Sequence, residues 1–164
     1  MTFELILLIV QTVSLFFLAA WLSTGVFENI RFPDLNRTFT SEVLDFTRMR
    51  EEYPDAYAQV AYRRISNPTI QRALFCVVVL WETVAVIALW IGTVALCLAC
   101  LGHMDADQAR GWGLLGALLF TATWAGFLVV GNWFCYWFCH EGAQNTHFQM
   151  TLWGMSVLIL LAVG

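Results

Sequence analysis

From Asn67 to Gly102 the chain reads NPTIQRALFCVVVLWETVAVIALWIGTVALCLACLG, and beyond Arg72 its only charge is Glu82. The apolar run exceeds the roughly 20 residues that carry a helix across a bilayer. It reads as a transmembrane helix over about residues 68–101. Asn67 is placed to cap its start, Pro68 fits the first turn, where a missing N–H costs nothing, and Gly102 is placed to close the far end. A carboxylate inside such a helix is disfavoured by about 2.5–3.5 kcal/mol on insertion scales, so Glu82 is expected to face other helices and not lipid. No Arg or Lys lies in the apolar run to pair with it, and the neutral acid is the expected form.

Working outward towards the N-terminus, residues 28–66 form a mixed-charge connector, and before it lies an apolar run over about 5–27 with Gln11, Thr12 and Ser14 as its mid-membrane polar groups. Those three are expected to bond neighbouring helices or their own backbone. Within the connector, Phe39, Val43, Phe46, Met49 and Tyr53 recur at spacings of three and four and predict one short amphipathic helix. Pro54 restarts the chain, and Tyr57, Val60, Ala61 and Ile65 predict a second. Towards the C-terminus, further membrane helices are expected over about 111–138 and 146–163. In the first of these, Gly113, Ala117, Thr121 and Ala125 lie four apart and Ala122 and Gly126 form a second small pair, the pattern that lets membrane helices approach closely. The fold class is therefore an all-α polytopic membrane protein with four transmembrane helices, and residues 1–164 make a single membrane domain.

Composition agrees: 60% of the residues are apolar and 12% are charged, outside the range of soluble domains. All eight basic residues are Arg, and nothing implies a nucleic-acid partner. Glu4 stands where a cleavable signal would be basic, so the first apolar run is expected to remain. Seven of the eight Arg fall within residues 28–72, which by the positive-inside rule puts that connector in the cytoplasm.

Few motifs suggest chemistry. Cys97 and Cys100 with His103 resemble a CxxC motif, but Asp105 and Asp107 supply the wrong sign for a reactive thiolate. Cys135, Cys139 and His140 are spaced one residue too widely for haem attachment. Cys76 completes five cysteines, all in or beside apolar helices, where free Cys behaves as a small hydrophobe. His140 and His147 are seven apart, and Gly142 between them argues against the helical connector that would bring them together. Depth counting places Asn132 and Ser156 near the level of Glu82, and the three are expected to form one buried polar cluster. Three functions follow. The first is a non-enzymatic accessory or assembly subunit of a larger membrane complex, with the bilayer and a protein partner or a second copy as its contacts and no cofactor or metal. The second is a small proton- or cation-coupled transporter or channel using Glu82. The third is a haem or redox subunit using His140 or the Cys pairs.

The run NIRFPDLNRTF (Asn29, Asp34, Asn36, Phe39), then Val43-Leu44, Tyr53-Pro54-Asp55, Trp81-Glu82 and GNWFCYWF with Gln144 and Phe148, resembles a bacterial domain-of-unknown-function family of predicted small integral membrane proteins. The resemblance covers nearly the whole chain and implies four membrane helices and a location in the bacterial inner membrane. It brings no activity. In that family the position of Asn132 is usually Glu, and a Trp-Asn-Gly-Gln run stands where this chain has Glu141-Gly142-Ala143-Gln144. A site needing two facing carboxylates would have only Glu82 here.

Overall fold

A computed structural model describes residues 2–163. Among them the chain forms seven α-helices: Phe3–Arg31 (α1), Asp34–Asp45 (α2), Thr47–Glu52 (α3), Pro54–Val60 (α4), Pro68–Cys100 (α5), Ala106–Trp133 (α6) and Glu141–Ala162 (α7). Helices α1, α5 and α6 are long and apolar enough to cross a membrane.

The ends of α5 are written where expected. Asn67 Oδ1 accepts the N–H groups of Thr69 (2.9 Å) and Ile70 (3.4 Å), and Pro68 opens the helix. At the other end Gly102 takes φ +74°. Its N–H donates to Ala99 O (3.0 Å) and that of His103 to Leu98 O (2.8 Å), the paired bonds of a Schellman motif that uses up carbonyls the helix leaves free.

Each long helix buries one stripe. On α1 it is Leu8, Gln11, Leu15, Leu18, Leu22, Val26 and Asn29, at steps of three and four residues. It lies against α5, which packs in turn on α6, and α6 on α7. Glycine decides how close α5 and α6 come. A Cβ on Gly92 would meet Gly113 Cα at 2.8 Å, and one on Gly116 would meet Leu89 Cα at 2.9 Å. On the α7 side, a Cβ on Gly154 would strike Thr121 Oγ1. Of the small residues expected to make close contacts, Gly113, Ala117 and Thr121 are buried in these seams, whereas Ala125 is half-buried and Gly126 has open space where a Cβ would point. Gly126 is corrected to the outer surface. The period of α6 turns Gly116 inward in its place.

Cross-links fix the offset of α1 and α5. Trp90 Nε1 donates to Ser23 Oγ (3.0 Å) and Asn29 Nδ2 to Glu82 Oε2 (2.8 Å). Helix α1 therefore ends near the level of Glu82, and the first turns of α5 project about 20 Å past it. Helix α2 packs against that projection.

The connector differs from the expected helix over Phe39–Tyr53. Phe46 takes the left-handed conformation, φ +54°, and splits it into α2 and α3. For a bulky residue this costs about 1–3 kcal/mol, and it turns the ring into a pocket where Phe46 is 2% exposed, with ring centroids 5.8 Å from Phe134 and 5.9 Å from Tyr57. Burying such a ring is worth a similar about 1.5–3 kcal/mol, so packing compensates for the break. Leu44, Phe46 and Met49 join Phe134 and Cys135 in a second apolar cluster, while Phe39 and Tyr53 stay exposed. The connector is thus a cap seated on the end of α6.

Other boundaries move too. Helix α6 begins at Ala106, five residues before the expected Gly111, because Asp105 Oδ1 caps the N–H of Gln108 (2.9 Å). It stops at Trp133, short of Phe138, where Cys135 turns left-handed (φ +52°). Helix α7 begins at Glu141 and runs straight through Gly142.

Candidate functional site

Glu82 lies on the buried stripe of α5 and is 5% exposed. Its Oε2 accepts the Asn29 amide at 2.8 Å, and Asn29 Oδ1 accepts the Asn36 amide at 2.7 Å. Asn29 comes from the last turn of α1, where it is 8% exposed, and Asn36 from the exposed first turn of α2. The three side chains make a hydrogen-bonded line from the interior of the bundle to the connector surface. Asn36 orients Asn29 by taking its oxygen, which leaves the Asn29 N–H group aimed at the carboxyl.

Asn132 and Ser156 do not join Glu82. Both are exposed, and the Ser156 hydroxyl donates to Leu152 O of its own helix at 2.8 Å. Asn132 misses in height as well as in rotation: Trp81 Nε1 donates to Thr123 Oγ1 (3.0 Å), which sets Thr123 beside Glu82 and leaves Asn132 about 13 Å further along α6. Asn29 and Asn36 take their place. The signal for Asn29 lay in its phase: it continues the three- and four-residue rhythm of Leu15, Leu18, Leu22 and Val26.

A second polar cluster holds the other end of the bundle. Arg110, 6% exposed, donates Nε to Gln11 Oε1 (3.2 Å), Nη1 to Asp107 Oδ1 (3.1 Å) and Nη2 to Glu4 Oε1. Gln11 passes its own amide to Leu160 O of α7 at 2.9 Å. Three helices, α6, α1 and α7, are tied through this guanidinium and the Gln11 amide, and Gln11 is the helix-bonding group its position suggested. Between the clusters Leu15, Leu18, Leu22, Leu89 and Phe120 are each at most 2% exposed, and the buried Thr93 and Thr121 hydroxyls turn back to Leu89 O and Ala117 O of their own helices.

The cysteine and histidine motifs stay apart. The five cysteines are free thiols; Cys97 and Cys100 lie at the end of α5, while Cys135 and Cys139 sit beneath the cap. Burial pushes the Cys139 thiol above its ordinary value, away from the thiolate that redox or nucleophilic chemistry needs. His140 is buried beside Glu42, its Nε2 3.7 Å from Oε2 and out of hydrogen-bond reach. Burial holds it below its ordinary pKa, with Glu42 acting in the opposite sense. His147 is instead packed among Trp124, Phe127 and Tyr136. Among the described residues no group of three or more His, Cys, Asp or Glu side chains is arranged to hold a metal ion.

A family model described as "Predicted small integral membrane protein (DUF2165)" matches residues 7–164. The chain belongs to this family. No curated protein and no solved structure matches it. The span shared with the DUF2165 family contains the whole Glu82–Asn29–Asn36 line together with Gln11 and Arg110, while Glu4 lies just before it. The family description agrees with three helices able to cross a membrane and carries no activity.

Proposed function

We propose that the protein is a non-enzymatic accessory or assembly subunit of a larger complex in the bacterial inner membrane. The observation that carries this reading is the separation of its polar side chains into two clusters, at opposite ends of the bundle, by the apolar layer of Leu15, Leu18, Leu22, Leu89 and Phe120. Each cluster ties helices together: Glu82, Asn29 and Asn36 join α5, α1 and α2, and Arg110 with Gln11 joins α6, α1 and α7. A proton or cation path needs polar groups or water through the middle, so this layout favours a scaffold over a conduit. The outward small pair Ala122 and Gly126 offers a second helix a close approach. Helix α7 makes a fourth crossing, and the arginine-rich connector lies in the cytoplasm.

The test is photo-crosslinking from Gly126 replaced by a benzophenone amino acid, followed by purification in mild detergent. A discrete protein adduct is expected. Proton flux in proteoliposomes of the parent, abolished by Glu82→Gln, would overturn the reading in favour of a transporter. Topology is checked by membrane-impermeant labelling of Arg48→Cys in a variant without native cysteines, expected only after the inner face is opened.

A further inference from the structure

The connector side carries a cleft of about 400 Å³ that the scaffold role leaves unused. Its walls are Arg37, Ser41 and Glu42 of α2 and Arg64, Ser66 and Gln71 at the entrance to α5, with Asp45 also lining it. Asp45 is already engaged: Arg64 Nε donates to one oxygen and Arg50 Nη2 to the other, both at 2.8 Å. That leaves both terminal nitrogens of Arg64 unspent. Arg37 gives one nitrogen to Asp34, whose carboxylate stands at the exposed rim. Gln71, 8% exposed, spends its amide nitrogen on Ile65 O (2.7 Å) and keeps its oxygen free. The cleft thus offers two part-used guanidiniums and two hydroxyls as donors, with the Glu42 carboxylate, whose Oε2 lies 3.7 Å from His140 Nε2 on its other side, as a negative charge. Planar guanidiniums with spare N–H groups suit phosphate oxygens, and a neighbouring carboxylate suits an ammonium group.

The surroundings select the source of such a ligand. Ile70, Leu74 and Val77 are exposed on α5 at steps of four and three, one stripe beginning beside Gln71, and Leu35 and Phe39 are exposed on α2. This is the projection of α5 that α1 leaves uncovered, so both elements lining the polar cleft also present apolar surface next to it. With Arg37 and Arg64 set against Glu42 and Asp45 the lining is charge-balanced, which suits a zwitterionic headgroup over an anionic one. The volume falls within the range of small-molecule sites. We propose that this cleft binds a zwitterionic aminophospholipid, its phosphate on Arg37 and Arg64, its ammonium on Glu42, and its acyl chains along Ile70, Leu74 and Val77. This goes beyond the scaffold reading and does not depend on it.

The experiment is native mass spectrometry of the detergent-purified protein with equimolar dioleoyl phosphatidylethanolamine and phosphatidylglycerol. One retained phosphatidylethanolamine per protomer is expected, in preference to phosphatidylglycerol. Arg37→Gln, which strands only an exposed carboxylate, should weaken retention by about tenfold, the scale of one hydrogen bond to a charged group. Arg37→Gln/Arg64→Gln should abolish it, and Glu42→Gln should reverse the preference. Retention unchanged in Arg37→Gln, with parental thermal stability, would overturn the proposal. So would phosphatidylglycerol preferred by the parent. Displacement of the lipid by millimolar inorganic phosphate or by glycerophosphoethanolamine would overturn it too, showing a site for a soluble phosphate.

Discussion

Replacing Gly116 by alanine tests the packing argument most directly. The added Cβ would lie 2.9 Å from Leu89 Cα and 3.0 Å from both Ala88 O and Leu89 N, all backbone atoms, where ordinary contact begins at 3.4 Å. Helices α5 and α6 must therefore separate by about 0.5 Å along their contact, and a gap of that size forfeits about a quarter of each pairwise attraction. Overpacking of this kind costs about 1–3 kcal/mol, and the better helix propensity of alanine returns up to about 1 kcal/mol. The net expectation is a loss of about 1–2 kcal/mol, from the same terms. The control is Gly126→Ala, which meets nothing within 4 Å and should be neutral or stabilising by a few tenths to about 1 kcal/mol. Both are read by reversible unfolding in mixed micelles, followed by tryptophan fluorescence. A Gly116→Ala protein as stable as the parent, beside a destabilised Gly126→Ala, would refute the assignment of α6 faces.

Glu82→Gln keeps an acceptor for Asn29 and should leave stability nearly unchanged, whereas Glu82→Leu strands the Asn29 amide and should cost about 1–3 kcal/mol in the same assay; equal losses would contradict the hydrogen-bonded line. Arg110→Leu removes the shared donor of Gln11, Asp107 and Glu4 and should cost about 1–3 kcal/mol, with amide exchange rising at the free ends of α1 and α7; unchanged exchange there would count against the tie. His140 faces Glu42, Arg48 and Glu52, and burial holds its pKa below the ordinary 6.5. Its contribution to seating the cap is therefore complete above that value and lost as pH falls towards the lower folded value. Amide-exchange protection in α2 and α3, with each rate corrected for its intrinsic pH dependence, should fall as pH drops below 6.5, and His140→Gln should flatten that response.

The long helices were legible because their signals are local. Asn67, Pro68 and Gly102 fix α5 within the segment itself, and a run of apolar residues states its own length. The partners of Glu82 were not, because no single helix records how far α1 slides along α5. Depth counting selected Asn132 and Ser156, but it ignores rotation and assumes that every helix enters at the same level, whereas Thr123 and not Asn132 stands beside Glu82 on α6. The buried phase of α1, which sets Gln11 and Asn29 at two ends of one stripe, was the signal that points to both polar clusters. The break at Phe46 was hidden for another reason: a left-handed phenylalanine is disfavoured locally, and only the distant Phe134 and Tyr57 rings compensate for it. Gly116 and Gly126 differ only in which neighbour each helix face meets.

The unequal reach of α5 and α7 has a consequence for the surrounding lipid. The apolar run of α5 from Ala73 to Leu101 measures about 43 Å, whereas that of α7 from Phe148 to Ala162 measures about 22 Å at the usual helical rise. The hydrocarbon layer between them is about 30 Å thick. Both helices pack on α6, and with α7 as the fourth crossing proposed above the film would swell beside α5 and pinch beside α7 unless the bundle leans. Each ångström of mismatch carries a fraction of a kcal/mol, so such a crossing would impose a thickness gradient on the annulus. A neighbour whose own helices are short would then be drawn to the pinched flank, and the orientation of the proposed assembly would be biased before any side chains touch.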